Sequence, residues 1–189
     1  MNNMELIEGC THNDNVAQHL FYEQHSSHIM GICMRYGAND EDTKAMVRHV
    51  FKRLYEEIKQ CSLDTDINEW VNTRTIWNAI DYLHQDKQKY FIAKTTRYND
   101  HSNNTNESFN ESEISKDDMK AMCLSALRSL TPSYRILYNL TYIDEVSPGM
   151  IVKNLEIAGE TYKAELEQAR FQFKQHLTTY LHEHRLHRH

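Results

Sequence analysis

An all-α fold, laid out as two small helical domains joined by a flexible linker, with a helix-turn-helix in the second, is predicted by three features of the sequence. Glycine and proline are scarce, at 5 and 2 in 189 residues, too few for the turns of an all-β or βαβ protein. Apolar residues recur at the three-and-four spacing of amphipathic helices through most of the chain. One stretch, from Tyr98 to Ser115, loses that spacing and turns to Asn, Ser and Glu. The expected units are therefore residues 1–97, a linker at 98–115, and residues 116–189.

Taken in order, Val16, Leu20, Ile29, Ile32, Cys33 and Tyr36 mark a helix that stops near Gly37. Asn39-Asp40-Glu41-Asp42 supplies an acidic cap for a second helix, whose apolar stripe is Met46, Val47, Val50, Phe51, Leu54, Tyr55 and Ile58. A polar loop from Cys61 to Asn68 leads to a third, with Trp70, Thr73, Trp77, Ile80 and His84 as its stripe. Beyond the linker, Met119, Met122, Cys123, Ala126, Leu127 and Leu130 define a helix. Thr131-Pro132 restarts the chain, with Thr131 as cap and Pro132 in the first turn, ahead of Ile136, Leu137, Leu140 and Ile143. Ser147-Pro148 opens a short segment to Leu155, and Ala158-Gly159 turns into a long last helix whose buried face is Tyr162, Leu166, Ala169, Phe173, Leu177 and Tyr180. A short helix, a turn and a longer helix outline a helix-turn-helix, an outline that any helical bundle can offer.

Composition excludes several classes. The start, Met1-Asn2-Asn3-Met4-Glu5, lacks the basic and apolar regions of a secretory signal, and no run is apolar for the length of a membrane span, so the expectation is a soluble, cytoplasmic chain. Cys10, Cys33, Cys61 and Cys123 form no CxxC pair and are expected as reduced thiols. The histidines at 182, 184, 187 and 189 match no structural zinc spacing, and no metal or other cofactor is expected. No nucleophile with its base, phosphate-cradling glycine loop or carboxylate pair is present, so no enzymatic chemistry is expected. The net charge of −6 opposes indiscriminate attraction to nucleic acid, and any DNA contact must come from a local patch.

One segment supplies such a patch. Trp77, Tyr82, Tyr90, Phe91 and Tyr98 interleave with Lys87, Lys89, Lys94 and Arg97, the pairing of stacking platforms and backbone-tracking cations that holds unstacked bases. The competing reading of each aromatic taken singly is a core residue. On the last helix Thr161, Lys163, Gln168 and Arg170 are candidates for base and phosphate contact, whereas Glu160, Glu165 and Glu167 would repel a duplex.

Together the halves resemble the extracytoplasmic-function sigma factors of bacterial RNA polymerase, over roughly residues 15 to 92 and 117 to 178. Leu130-Thr131-Pro132-Ser133-Tyr134-Arg135-Ile136-Leu137 is similar to that family's Leu-Pro, Arg, apolar, Leu signature, with a Thr inserted, and Leu155 to Lys163 is similar to its turn and recognition-helix entry. Arg35-Tyr36, the acidic cap, Phe51, and Trp70 followed by Asp81 fall in family order. The resemblance implies a non-enzymatic transcription initiation factor with two partners, core RNA polymerase and promoter DNA. It places polymerase contact at Arg48, His49, Lys52 and Arg53, and melted-strand contact at Trp77, Asn78, Tyr82, Lys87, Lys89, Tyr90, Lys94 and Arg97. The family's acidic and Gln-Glu residues on the second helix are replaced by Lys44, Ala45, Arg48 and His49, so the docking chemistry is altered, and the family's Asn position is Trp77, with Asn78 one place late. The alternatives are a sigma-like adaptor addressed to DNA by a separate targeting protein on the C-terminal domain, or a helical scaffold that does not initiate transcription. An anti-sigma factor is a further partner the resemblance implies.

Overall fold

The computed structural model describes residues 2–61, 66–85 and 115–186, with side chains to residue 182. Among them the chain is all helix. Eight α-helices follow in order: α1 (Asn3–Thr11), α2 (Asn15–Tyr36), α3 (Asp40–Glu57), α4 (Ile67–Gln85), α5 (Lys116–Ser129), α6 (Pro132–Tyr138), α7 (Pro148–Asn154) and α8 (Gly159–Leu186). A 3₁₀ turn, Ile58–Gln60, extends α3, and a π-helical turn, Asn139–Ile143, extends α6.

Helix α1 was not anticipated from the apolar spacing. Its signal is a reciprocal cap: Asn2 Oδ1 accepts from the Glu5 amide and Glu5 Oε2 accepts from the Asn2 amide, both at 2.9 Å. It buries Leu6, Ile7 and Cys10, and it lies so close to α2 that a Cβ on Gly9 would stand 2.5 Å from that of Ala17.

The capping expected of α3 is present, with Asn39 accepting from the Asp42 amide. Gly37 does follow α2, but not as a left-handed stop. Its φ is −69°, and its missing Cβ instead makes room for Thr43, whose Oγ1 would lie 2.5 Å from it. Thr131 and Pro132 open α6 as expected, whereas the turn before α8 bends at Glu156, with φ at 53°, rather than at Gly159. Within α4 the buried positions are Ile67, Trp70, Val71, Thr75, Ile76, Asn78, Ala79, Ile80 and Leu83, so the expected stripe holds at Trp70 and Ile80 while Thr73 and His84 face outward.

One apolar cluster runs through both halves. Phe21, Ile29, Met46, Val50, Leu54 and Ile80 of the first half share it with Ile136, Leu137, Leu140, Ile151 and Tyr162 of the second. The anticipated linker at 98–115 lies outside the described residues except for Ser115, which caps α5 by accepting from the Asp118 amide. Cys10 and Cys33 are buried free thiols, and burial pushes them up to about 11 and about 12 respectively. Cys61 is buried and Cys123 half-buried. No described helix is long and apolar enough to cross a membrane.

Among the described residues His25 is the one buried imidazole, 5% exposed, its ring centroid 4.7 Å from that of Phe21. Burial, and then His28, lowers it from the ordinary 6.5. The unfolded chain therefore binds a proton at a pH where the native one refuses it, so stability is complete above about 6.5 and falls as pH drops below that value. Thermal melts at pH 7.5 and 5.5 are expected to show a larger loss of Tm for the native sequence than for His25→Leu; equal losses refute the assignment.

Candidate nucleic-acid and protein interfaces

Helix α3 separates its two faces cleanly. Met46, Val50 and Leu54 are fully buried, and on the opposite side Lys44, Arg48 and Lys52 are exposed at four-residue spacing. Side chains four apart on a helix stand one above another, so these three form a basic stripe about two turns long. Two of the residues expected beside them do not belong to it. Arg53 is paired along its own helix, with Nη2 2.9 Å from Glu57 Oε1 and Nη1 3.1 Å from Glu56 Oε2. His49 is half-buried, packs its ring 5.6 Å from that of Tyr82, and is lowered by burial and by the Arg53 charge.

Burial takes part of the expected strand-binding set into the interior. Asn78 is buried at 3% exposure, and its Nδ2 donates to Glu57 Oε2 at 3.4 Å. It completes the polar cluster of Arg53, Glu57 and Arg74 between α3 and α4, because a buried carboxylate needs donors more than a solvated strand needs this amide. Trp77 is half-buried against the apolar cluster, and Tyr82 donates to Asp42 Oδ1 at 3.2 Å. These two hold α4 to its neighbours. Lys87, Lys89, Tyr90, Lys94 and Arg97 lie outside the described residues.

In the second half, α7, the turn at residues 155–158 and α8 follow as a short helix, a turn and a long helix. Ile151 of α7 and Tyr162 and Ala169 of α8 are buried, and Tyr162 shares a 3.1 Å hydroxyl contact with Thr141. Thr161, Lys163, Gln168 and Arg170 are all exposed. At about 3.6 residues per turn they fall on one outward arc. Lys163, Arg170 and Lys174 follow one edge of it and Thr161 and Gln168 the other, with Glu160, Glu167 and Phe171 between.

Glu165 departs from the expectation. It is half-buried, not on that arc, and lines a cavity of about 80 Å³ with His84, Ser133, Ile136, Leu137 and Ile157. Burial raises its carboxyl above the ordinary range, and its charge contributes to raising Tyr134. With Glu165 turned inward, the first turns of the arc carry Glu160 and Glu167 against Lys163 and Arg170. The charges balance, and the repulsion expected of a duplex is correspondingly reduced.

The polar seam between the halves has no local signature in the sequence. Asp144, directly after the π-helical turn, accepts from Arg35 Nη2 at 2.7 Å and from the Tyr36 hydroxyl at 2.6 Å. Its side chain is only 5% exposed. Burial raises its carboxyl, the Tyr36 hydrogen bond and Arg35 charge opposing that rise, while burial and then Asp144 hold the Tyr36 phenol well above its ordinary value. Arg135 is 3% exposed and donates to the carbonyls of Leu127, Arg128, Leu130 and Tyr36, between 2.9 and 3.2 Å. Three of these close α5 and the fourth closes α2. A guanidinium thus stands where the negative ends of two helices meet. Asn139 adds a bond to the Arg35 carbonyl at 3.0 Å, and Arg128 reaches Asp40 Oδ1 at 2.8 Å.

No group of three or more His, Cys, Asp or Glu side chains is placed to hold a metal ion among the described residues. The chain is similar to a solved structure of CnrH in complex with the cytosolic domain of CnrY, with 13% identity over 92% of this chain and 96% of that one and a TM-score of 0.47. No family model matches the chain, and no curated protein matches it. Fold and surfaces together define an all-α protein with an exposed basic helix face.

Proposed function

We propose that the chain is a sigma-type transcription initiation factor, which binds core RNA polymerase through its first half and promoter DNA through both. The observation that carries the reading is the outward arc of α8, where Thr161, Lys163, Gln168 and Arg170 are all exposed on a helix entered from a short helix and turn. A basic edge suits a phosphate backbone, and an amide and hydroxyl edge suits base contacts. The order of motifs from Arg35-Tyr36 to Arg170 supports the same reading. In it, residues 98–115 serve as the tether between a polymerase-bound half and a DNA-bound half, and the basic and aromatic residues from 87 to 97 track the opened strand.

Lys44, Arg48 and Lys52 give the docking face its chemistry. A basic stripe on a rigid helix fits an acidic helical surface on the polymerase, and charges at such a contact set partner choice and approach. Arg48→Glu combined with Lys52→Glu is expected to weaken core polymerase binding by about tenfold or more, with helicity unchanged because both side chains are exposed. Undiminished binding rules out this face.

The balance of charge on the arc leaves room for the adaptor reading, since Glu160, Glu167 and Phe171 occupy its centre. One experiment separates the two. Core polymerase is incubated with genomic DNA fragments, with and without the protein, and the 5′ ends of the transcripts are mapped. Discrete new start sites are expected of a self-sufficient initiation factor. A profile identical to that of core polymerase alone overturns the proposal, and new starts that arise only on adding cell extract transfer it to the adaptor.

A further inference from the structure

The outermost row of α8 carries no arginine, lysine, asparagine or glutamine. Tyr162 and Ala169 are buried, with Leu166 and Phe173 half-buried beside them. At about 3.6 residues per turn, the row opposite that face is Glu160, Ala164, Glu167 and Phe171, and all four are exposed. A major groove that admits the helix therefore receives these side chains deepest. Lys163, Arg170 and Lys174 follow one flank of the row, and Thr161, Gln168 and Gln175 the other.

The edges of the bases sort these groups. Guanine and adenine both present an acceptor at N7, and guanine a second at O6, so a carboxylate that faces either is repelled. Cytosine presents the N4 amino donor, from which a carboxylate accepts, and thymine presents a methyl group, against which alanine or phenylalanine packs. The row thus alternates two acceptors suited to cytosine with two apolar groups suited to thymine. From residue 160 to residue 171 it spans about 16 Å, roughly five base pairs. Repulsion between Glu160 or Glu167 and the phosphates is offset by Lys163, Arg170 and Lys174, whose shared flank suits the backbone of one strand. On the other flank the amides of Gln168 and Gln175 suit purines of the partner strand, since an amide matches the donor and acceptor pair of adenine.

We propose that α8 reads a short duplex element in which one strand is a run of cytosine and thymine, cytosine opposite Glu160 and Glu167 and thymine opposite Ala164 and Phe171. This readout rests on α8 facing DNA, as assigned above. The two carboxylates then choose sequence by rejection as well as by contact. A purine opposite either of them sets a carboxylate against an acceptor with no donor between, at a site already short of water.

The test uses the full chain, alone and with core polymerase, on a library of DNA duplexes randomised over about one helical turn, with the bound duplexes recovered and sequenced. Enrichment of a pyrimidine run on one strand is expected. Glu167→Gln is expected to replace one cytosine of that run by adenine, with helicity unchanged because the side chain is exposed. On the selected duplex, deoxyuridine in place of one thymine removes only a methyl group. At the thymine that faces Phe171 this exchange is expected to weaken binding by the native chain about fourfold, and to leave binding by Phe171→Ser unchanged. Enrichment of an element without the pyrimidine run, or of one that neither Glu160→Gln nor Glu167→Gln alters, overturns the proposal and leaves the initiation role to be judged by its own start-site experiment. No enrichment under either condition overturns the DNA-facing assignment of α8 and the proposal with it.

Discussion

Arg135→Met is expected to cost the protein on the order of 4 kcal/mol, a loss comparable with the whole stability of a marginal domain. Methionine keeps most of the volume, so the loss is one of hydrogen bonds. Leu127, Arg128, Leu130 and Tyr36 would each give up a charged donor to their carbonyl oxygen. A buried acceptor left without its donor costs about 1–3 kcal/mol, and removal of a donor that is itself charged puts the sum above any one of them. Some is recovered, because the Leu127 carbonyl keeps the Leu130 amide at 3.1 Å. In urea the midpoint should fall by about 2 M at an ordinary slope. Arg135→Lys, with one ammonium for a fork, is expected to recover less than half. A midpoint within about 0.5 M of native for Arg135→Met excludes the keystone role.

Gly9→Val is the second large effect, and its cause is purely steric. The first atom of any side chain at residue 9 would lie 2.5 Å from the Ala17 Cβ, an atom fixed to the backbone of α2 that cannot rotate away. The helices must move apart, at a cost of about 3 kcal/mol, the upper range for an overpacked core. Helix propensity returns only a few tenths of that. The consequence is visible at Cys10, 1% exposed and raised by burial to about 11. If α1 lifts off, its thiol returns to the ordinary 9.0, and reaction with an exposed-thiol reagent at neutral pH speeds up on the order of a hundredfold. The exchange Gly9→Ala with Ala17→Gly, which moves one methyl across the contact, is expected to stay near native stability. Destabilisation of the exchange equal to that of Gly9→Val refutes the contact as the cause.

How much of this was legible varies with the range of the interaction responsible. Helix α3 could be read from its cap and period because both are local, and so could the opening of α6 at Thr131-Pro132. Asn78 and Glu165 could not. Each sits at a position whose neighbours in sequence suit a solvated or partner-facing surface, and each is drawn inward by a group on another helix or by a cavity between helices. Asn78 follows Glu57 of α3, and Glu165 follows the space between α4, α6 and the turn at residues 155–158. Arg135 stands out in the sequence only for its place in a motif, and its work at the carbonyl of Tyr36, 99 residues earlier, has no local trace. Gly37 shows the reverse case, a glycine that does follow a helix end but serves the close approach of Thr43 rather than a left-handed stop.

That separation of 99 residues also governs how the protein is made. The first half leaves the ribosome with the Arg35 and Tyr36 carbonyls uncapped and Ile29, Met46 and Ile80 facing a cluster whose remaining members are still untranslated. At about 5–20 residues per second, Arg135 follows Tyr36 by roughly 5–20 s. During that interval the nascent chain carries a surface shaped for its own missing half, which makes it a substrate for chaperones and, at high rates of synthesis, for the same surface on a neighbouring nascent chain.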